Sequence, residues 1–169
     1  MDNKVLPVLW TMLRLIVLIS IVFLVKMFVV DAYGVAGPSM EPSLKDRSTI
    51  AGIKYDKTYL PGEIILFKRA GRSEIMIGRV VALPGDTIRV EDGTFYLNGE
   101  VADEPYLNSD VKTELTDNGF VKEGTDITIP ADSFFILGDN REVSVDSREW
   151  GLLPKENIEA TYLRCIIRC

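Results

Sequence analysis

The N-terminal stretch of the chain, VLPVLWTMLRLIVLISIVFLVKMFVV at residues 5–30, carries only two charges, Arg14 and Lys26. From Met12 to Val30 it is long enough for a helix that crosses the hydrocarbon core of a bilayer, which takes about 20 residues. Each cation would then lie near one end of the helix, where a long side chain reaches the headgroups. The sequence therefore predicts a membrane anchor within residues 1–31.

A cleavable secretory signal is the alternative interpretation, because the charge-free run covers only Leu15–Val25. An anchor is favoured, because cleavage after the small residues 34–36 would leave almost nothing before the serine at position 39. The remainder of the chain, residues 32–169, is then expected to lie outside the cytoplasm. Basic residues occur on both sides of the apolar stretch, so the charge rule supports this orientation only weakly.

The predicted outer part of the chain is acidic. Residues 32–169 contain 16 basic and 23 acidic residues, a net charge of −7. This balance argues against nucleic acid as a partner and against a general attraction to anionic lipid. Ten of the acidic residues fall between Glu91 and Asp126, where a solvated surface is expected in preference to a docking surface. Residues 103–126 are polar and predict an excursion from any sheet.

The two cysteines, Cys165 and Cys169, stand at the C-terminus. On one continuous strand their Cα atoms would be roughly 13 Å apart, too far for a disulfide. The spacing also fits no zinc site. An intermolecular disulfide is conceivable in an oxidising compartment, but unpaired thiols are the expectation.

Beyond Val30 the pattern changes to short β-branched runs separated by turn residues, which predicts strands. Asp92-Gly93 and Asn98-Gly99 are hairpin signals on either side of TFYL, and Leu83–Asp86 predicts a turn. The predicted fold class is mainly β, with one N-terminal transmembrane helix. Seven runs are expected to form strands: STIAGIKY, GEIILFKR, MIGRVVAL, DTIRVED, TFYLNGE, SFFILGD and ATYLRCIIR.

Ser39, in the segment AGPSMEPSL, is the candidate nucleophile, although a serine beside a proline is by default a turn residue. The chain contains no histidine, so the commonest proton acceptor for a catalytic serine is absent. A lysine, a carboxylate or a group outside the chain would have to serve as its base.

Four stretches occur in order: GPSMEPSL at 37–44, PGEIILFK at 61–68, GRVVALPGDTI at 78–88 and GDNREVSVDSREWG at 138–151. Together with the anchor they resemble the type I signal peptidase family, over nearly all of the chain outside residues 89–137. The resemblance implies an all-β serine endopeptidase beside the outer face of the membrane. Such an enzyme removes signal peptides after small residues, as in A-x-A, with an unprotonated lysine as general base. No cofactor or metal is implied.

The resemblance also implies roles for particular residues. Ser39 would be the nucleophile and its backbone N–H would contribute to the oxyanion hole. Met40 would pack beneath the site, and Ser144 would orient the lysine. The remaining four residues would form two structural ion pairs, Asp146 with Arg148 and Asp139 with Arg79.

Gly78 stands where the family carries its catalytic lysine, and no lysine lies within nine residues of it in either direction. The neighbouring Arg79 stays protonated and cannot replace the base. A glycine is expected to leave a gap where the lysine stem would pack. Lys68 is the nearest lysine in motif terms, but the resemblance places it at a sheet edge. Val143, before Ser144, replaces a residue that is usually polar in the family.

Two hypotheses for the function follow. The first is a signal peptidase that cleaves exported preproteins with a substitute base or at a very low rate. The second is a binding factor, similar to signal-peptidase-like proteins without the lysine that accompany surface pili in some Gram-positive bacteria. Its groove would hold a pilin-type or other exported protein without cutting it. The absent base favours binding, whereas family membership favours cleavage.

Overall fold

A computed structural model describes residues 5–54, 58–108 and 110–169, and for residues 5 and 26–28 it describes the backbone alone. The chain begins with helix α1 (Val5–Phe28), followed by two sheets and short helical turns. The strands are β1 (Val30–Gly34), β2 (Thr49–Ile53), β3 (Ile64–Lys68), β4 (Ile75–Ala82), β5 (Thr87–Glu91), β6 (Thr94–Leu97), β7 (Glu100–Val101), β8 (Ile127–Thr128), β9 (Ser133–Leu137), β10 (Leu153–Pro154) and β11 (Ile158–Ile167). Helix α2 is Ser147–Trp150, and a 3₁₀ turn covers Lys155–Asn157.

Helix α1 contains a 20-residue segment, Leu6–Val25, that is long and apolar enough to cross a membrane, with a mean hydropathy of 2.6. The helix starts and ends earlier than the predicted span from 12 to 30. Val30 already belongs to β1 and pairs with Ile53, so this strand crosses the predicted boundary between residues 31 and 32. β-Branched valines fit either a helix or a strand, and pairing with β2 decides the outcome here. The side chain of Lys26, predicted near the end of the span, lies outside the described residues.

Two antiparallel sheets form the rest of the molecule. The seven-stranded sheet has the order β1-β2-β11-β3-β4-β9-β10, and the four-stranded sheet has the order β7-β6-β5-β8. All seven predicted strands are present. The turn at Leu83–Asp86 joins β4 to β5, and the two hairpin signals join β5 to β6 and β6 to β7. The mainly β fold class is confirmed.

Buried apolar residues form one cluster between the two sheets and two further clusters within the larger sheet. The first includes Ile88, Val90 and Phe95 of the small sheet with Phe135 and Leu137 of β9. Strands β4 and β9 therefore have packed side chains on both faces, which makes them rigid supports for the segments that connect them.

The expectation of unpaired cysteines is wrong. Cys165 and Cys169 form a disulfide with their Cα atoms 5.8 Å apart. Strand β11 ends at Ile167, and Arg168 has a φ of +60°, so the chain turns back instead of extending. The distance estimated for a continuous strand therefore does not apply.

The segment 103–126 is tied closely to the remainder of the protein, more than the predicted excursion suggested. Val121 is fully buried in the cluster between the sheets, and Thr113 is also buried. The backbone N–H of Val121 donates to the carbonyl of Arg148 at 3.1 Å. The polar composition of this segment obscured these few anchoring residues.

Candidate active site

Ser39 lies in a turn that follows β1. Inside the turn, Glu41 N donates to Pro38 O at 3.0 Å and Leu44 N donates to Met40 O at 2.8 Å. Met40 is completely buried, in a cluster that includes Val35 and Leu44, whereas Ser39 is half-buried. The methionine thus fixes the turn to the core below and leaves the serine hydroxyl at the surface of the site.

The segment after β9 brings Ser144 next to Ser39. Asn140 N donates to the carbonyl of Ser39 at 3.0 Å. A Cβ built on Gly138 would lie 2.5 Å from Ser144 Cβ and 2.7 Å from the carbonyl oxygen of Ser39. Only glycine permits such an approach, so Gly138 is the residue around which the two serines meet. Within the described part of the chain, neither serine hydroxyl has a hydrogen-bond partner.

Arg79 and Asp139 form a buried ion pair that joins β4 to the segment after β9. Arg79 Nε donates to Asp139 Oδ1 at 2.8 Å, and a second nitrogen donates to Oδ2 at 2.5 Å. The guanidinium also donates to the carbonyl of Gly62 at 2.5 Å and to Ser43 Oγ at 3.1 Å. Asp139 and Arg79 therefore satisfy each other, and Arg79 also holds the serine turn through Ser43.

Asp146 and Arg148 form the second buried ion pair, at the start of α2. Arg148 Nε donates to Asp146 Oδ1 at 2.8 Å, and another guanidinium nitrogen donates to Oδ2 at 2.9 Å. Asp146 caps α2 by accepting from Arg148 N, and it also accepts from Gly138 N at 3.0 Å. The same guanidinium donates to the carbonyl of Ser144 at 3.1 Å. This pair therefore fixes the backbone on both sides of Ser144.

Sequence reasoning missed a third buried arginine, Arg141. Its guanidinium is paired with the carboxylate of Glu104, and it donates to Thr113 Oγ1 at 2.5 Å and to the carbonyl of Gly138 at 3.0 Å. It thereby fastens the 103–126 segment to the glycine between the two serines. Arg141 lies inside the stretch GDNREVSVDSREWG at 138–151, which was the available signal.

Tyr106 lies against Arg79 from the 103–126 segment. The Arg79 guanidinium is 3.9 Å from the centre of the Tyr106 ring, within the range of a cation–π contact. The phenol donates to Glu104 Oε1 at 2.7 Å. Burial, followed by the negative charge of Glu104, raises the pKa of Tyr106 above its usual value. Arg79 is thus paired on one side and stacked on the other, which keeps it away from the serine hydroxyl.

Gly78 is buried in β4, and the position that its Cβ would take is already occupied. A Cβ built on this residue would lie 2.5 Å from Ile136 Cγ2 and 3.3 Å from Phe67 Cε1. Ile136 belongs to β9, which pairs with β4, and it is only 1% exposed. The expectation of an empty space is wrong at the Cβ position, which a side chain of the neighbouring strand occupies, although Gly78 also lines a cavity beside Ser39.

The predicted location of Lys68 at a sheet edge is also wrong. Strand β3 lies inside the sheet between β11 and β4, and Lys68 stands at its end. Its ammonium group binds Glu159 Oε1 at 2.8 Å, and both side chains are about 40% exposed. The ammonium group of Lys68 is therefore engaged by Glu159.

A cavity of about 500 Å³ adjoins Ser39, Gly78 and Ser144. Its ionisable lining residues are Arg72, Glu74 and Asp146. The first two are exposed, and Asp146 is engaged with Arg148. Among the described residues that line this cavity there is no lysine. The apolar wall is formed by Phe67, Met76, Ile77, Ile136, Val145 and Trp150, among others.

On one side the cavity is bounded by a part of β4 that pairs with β3 but, among the described residues, has no strand along its other edge. Ile75 to Gly78 pair with β3, whereas pairing with β9 begins at Arg79. The N–H of Val80 points toward the β3 side of β4, since it donates to Glu63 O at 2.8 Å. Bonding direction alternates along an antiparallel strand, so Ile75 and Ile77 direct their peptide groups away from β3.

The opposite side of the cavity is formed by the end of β1 and the two residues that follow it, residues 34–36, along the edge that faces away from β2. Val35 N donates to Ser48 O at 2.9 Å, and Val35 O accepts from Arg47 N at 3.0 Å. By the same alternation, the peptide groups of Gly34 and Ala36 point away from these partners. Both residues line the cavity. Two strand edges thus face one space, an arrangement that suits an extended peptide between them.

Comparison with known proteins identifies relatives of this chain. The family model for signal peptidase, peptidase S26, matches residues 8–166. Signal peptidase I of Bacillus amyloliquefaciens is 34% identical over 152 residues, which cover 87% of this chain and 81% of that protein. Signal peptidase IB of Staphylococcus aureus (strain Mu50 / ATCC 700699) is 37% identical over 150 residues, 82% of this chain and 78% of that protein. A crystal structure of a signal peptidase I from Enterococcus faecalis V583 is 28% identical, covers 62% of this chain and 96% of that chain, and has a TM-score of 0.48.

The molecule is a mainly β domain behind an apolar N-terminal helix, with Ser39 and Ser144 beside one cavity. The chain belongs to the signal peptidase family, peptidase S26. Membership associates it with membranes and with preproteins that carry signal peptides.

Proposed function

We propose that this protein binds an extended segment of an exported protein in the cavity beside Ser39 and hydrolyses it very slowly or not at all. It would be anchored by α1 as a single span, with residues 32–169 on the extracytoplasmic side. The observation that carries the proposal is the environment of Gly78, where Ile136 occupies the space next to the backbone from which a lysine would have to extend.

The chemical consequence of a missing base is large. Ser39 would be the nucleophile of the family mechanism, but its hydroxyl needs a proton acceptor to attack a peptide carbonyl. In a well-characterised serine protease, removal of the base alone lowers turnover by about 10⁶. A residual acceleration of about 10³ to 10⁴ over water survives from oxyanion stabilisation and binding. Such a rate cannot support processing of newly exported proteins.

The other candidate bases are engaged by partners. Asp139 and Asp146 each bind an arginine, and Lys68 binds Glu159. The retained parts of the site instead favour recognition. The peptide groups of Ile75 and Ile77 face those of Gly34 and Ala36 across the cavity, which supports binding of a peptide as an added strand.

Cleavage and binding are best measured separately on the full-length protein in detergent. A peptide with an A-x-A site is first incubated with the native protein and with Ser39→Ala. We expect no serine-dependent cleavage. Cleavage by the native protein that Ser39→Ala abolishes would contradict the proposal and require a substitute base.

Binding of the same fluorescent peptide is then followed by anisotropy. Ala36→Trp should block the cavity and weaken binding at least tenfold, since Ala36 lies on its free edge. Ala70→Trp is the matched control, because Ala70 is also exposed and does not line this cavity. Equal affinities of the two variants, or no binding by the native protein, would contradict the proposal. A pilin-type partner stays a prediction of the sequence and can be tested with a pilin-derived peptide in the same assay.

A further inference from the structure

Strand β11 ends in exposed apolar side chains. Ile166 and Ile167 are 48% and 56% exposed, and Leu163 on the same strand is 48% exposed. Single exposed apolar residues are ordinary, but neighbouring large ones are characteristic of an interaction surface. The candidate active site makes no use of them.

Ile166 lies beside the membrane-spanning helix. It shares an apolar cavity of about 390 Å³ with Ile21, Val22 and Val25 of α1. These three residues belong to the segment Leu6–Val25 that is suited to span the bilayer. The end of β11 is therefore level with the last turn of the span, where hydrocarbon gives way to headgroups.

The chain at this point forms a short closed loop. The disulfide between Cys165 and Cys169 joins its two ends, and Arg168 adopts a left-handed conformation that reverses the chain. Arg164 and Arg168 are exposed next to the two isoleucines. Apolar side chains flanked by arginines match the boundary of an anionic bilayer, since arginine stems lie along acyl chains while their charges reach the phosphates.

We propose that the disulfide-closed loop 165–169 inserts its isoleucines into the interface of an anionic membrane and forms a second attachment point beside α1. The net negative charge of the domain does not prevent this, because charges beyond about 10 Å are largely screened, whereas Arg164 and Arg168 are close to the isoleucines in the chain. The acidic neighbour Asp31, which also lines the cavity, is paired with Lys54 at 2.9 Å. Attachment at two points would restrict rotation of the domain about α1.

The test uses the full-length protein in vesicles of phosphatidylglycerol and phosphatidylcholine with brominated acyl chains. Ile167→Trp places an indole at the loop, and difference spectra against the parent remove the contributions of Trp10 and Trp150. We expect emission at shorter wavelength than in water and strong quenching by the brominated lipid. Val101→Trp is the matched control, because Val101 is 65% exposed on β7, in the other sheet. Its indole should show water-like emission without quenching.

An indole at 167 that behaves like the indole at 101 would overturn the proposal. Short-wavelength emission without quenching would also overturn it, because a protein surface would then be the partner. Arg164→Gln with Arg168→Gln should halve the quenching in anionic vesicles and leave it unchanged in pure phosphatidylcholine. Cys165→Ser with Cys169→Ser should also lower it, and unaltered quenching would exclude the disulfide from the attachment. None of these readings involves peptide binding, so they are independent of the proposed function.

Discussion

Ile136 Cγ2 lies 2.5 Å from the point where a Cβ on Gly78 would be placed, so β9 occupies the position from which a catalytic lysine would extend. This contact is closer than van der Waals separation allows, and it involves a methyl group next to the backbone of a buried strand. Any side chain at position 78 would therefore require Ile136, or the strand that carries it, to shift.

Gly78→Ala is expected to destabilise the protein by about 1–3 kcal/mol, because one added carbon must displace Ile136 or the strand that carries it. Gly34→Ala is the matched control. A Cβ there meets no atom within 4 Å, so this variant should be neutral or stabilised by about 0.4–1 kcal/mol. Urea unfolding in detergent measures both changes.

Urea unfolding of Ile136→Ala, and of Ile136→Ala combined with Gly78→Ala, completes a double-mutant cycle. Ile136→Ala alone should cost about 2–5 kcal/mol, because it truncates a buried side chain. In its presence Gly78→Ala should cost at least 0.5 kcal/mol less than in the parent, as expected for two residues in contact. Strictly additive costs would show that Ile136 does not obstruct position 78.

A lysine introduced at position 78 should support cleavage only when Ile136 is also truncated. Gly78→Lys alone is expected to give no cleavage of an A-x-A peptide, since the stem collides with Ile136. Gly78→Lys with Ile136→Ala should give cleavage that Ser39→Ala abolishes, recovering part of the factor of about 10⁶ attributed to a base. Gly78→Met with Ile136→Ala is the control, because it fills the same space without an amine. Equal activity of the lysine and methionine variants would exclude lysine as the base.

Local sequence patterns were sufficient to predict most of the strands. β-Branched runs bounded by turn residues predicted β2 to β6, β9 and β11, and dipeptides such as Asp92-Gly93 marked hairpins that depend on a few adjacent residues. Strand β1 was missed because Val30 continues the apolar pattern of α1. Pairing with Ile53 of β2, which no local signal indicates, makes it a strand.

The errors concern contacts between distant parts of the chain. The gap expected at Gly78 depends on the orientation of Ile136, 58 residues away. The pairing of Cys165 with Cys169 accompanies local departures from a regular strand, a register shift between Cys165 and Ile167 and a φ of +60° at Arg168. The role of Arg141 depends on Glu104, in a segment without regular structure. Motif comparison located Arg79 and Arg148 because their partners also lie within the quoted stretches. Arg141 lies in the same stretch as Arg148, but its partner Glu104 lies outside all four.

Buried and exposed ion pairs should differ strongly in their contribution to the free energy of unfolding. Asp146→Asn keeps the shape of the side chain but leaves the buried guanidinium of Arg148 without a counter-charge, which should cost about 3–5 kcal/mol. Glu159→Gln breaks the exposed pair with Lys68, which should cost at most about 1 kcal/mol. Urea unfolding of the two variants gives the comparison. Equal losses would contradict the structural role assigned to Asp146.

Stability is expected to decline in alkali partly through Tyr106. Burial and the neighbouring Glu104 raise the pKa of this phenol above the value of 10.0 that it has in the unfolded chain. The unfolded state therefore releases the proton first, so the contribution is complete below about pH 10 and is lost as the pH rises beyond it. One such proton contributes a slope of about 1.4 kcal/mol per pH unit.

Tyr106→Phe tests this coupling, since it preserves the ring over Arg79 but removes the ionisable hydroxyl. The free energy of unfolding, measured at several values between pH 9 and 12, should fall less steeply in the variant than in the parent. Below pH 9 the variant should instead be the less stable protein, because it loses the hydrogen bond to Glu104. Parallel curves in alkali would mean that Tyr106 ionises at the same pH in the folded and unfolded states, and that the ring does not lie buried between Arg79 and Glu104.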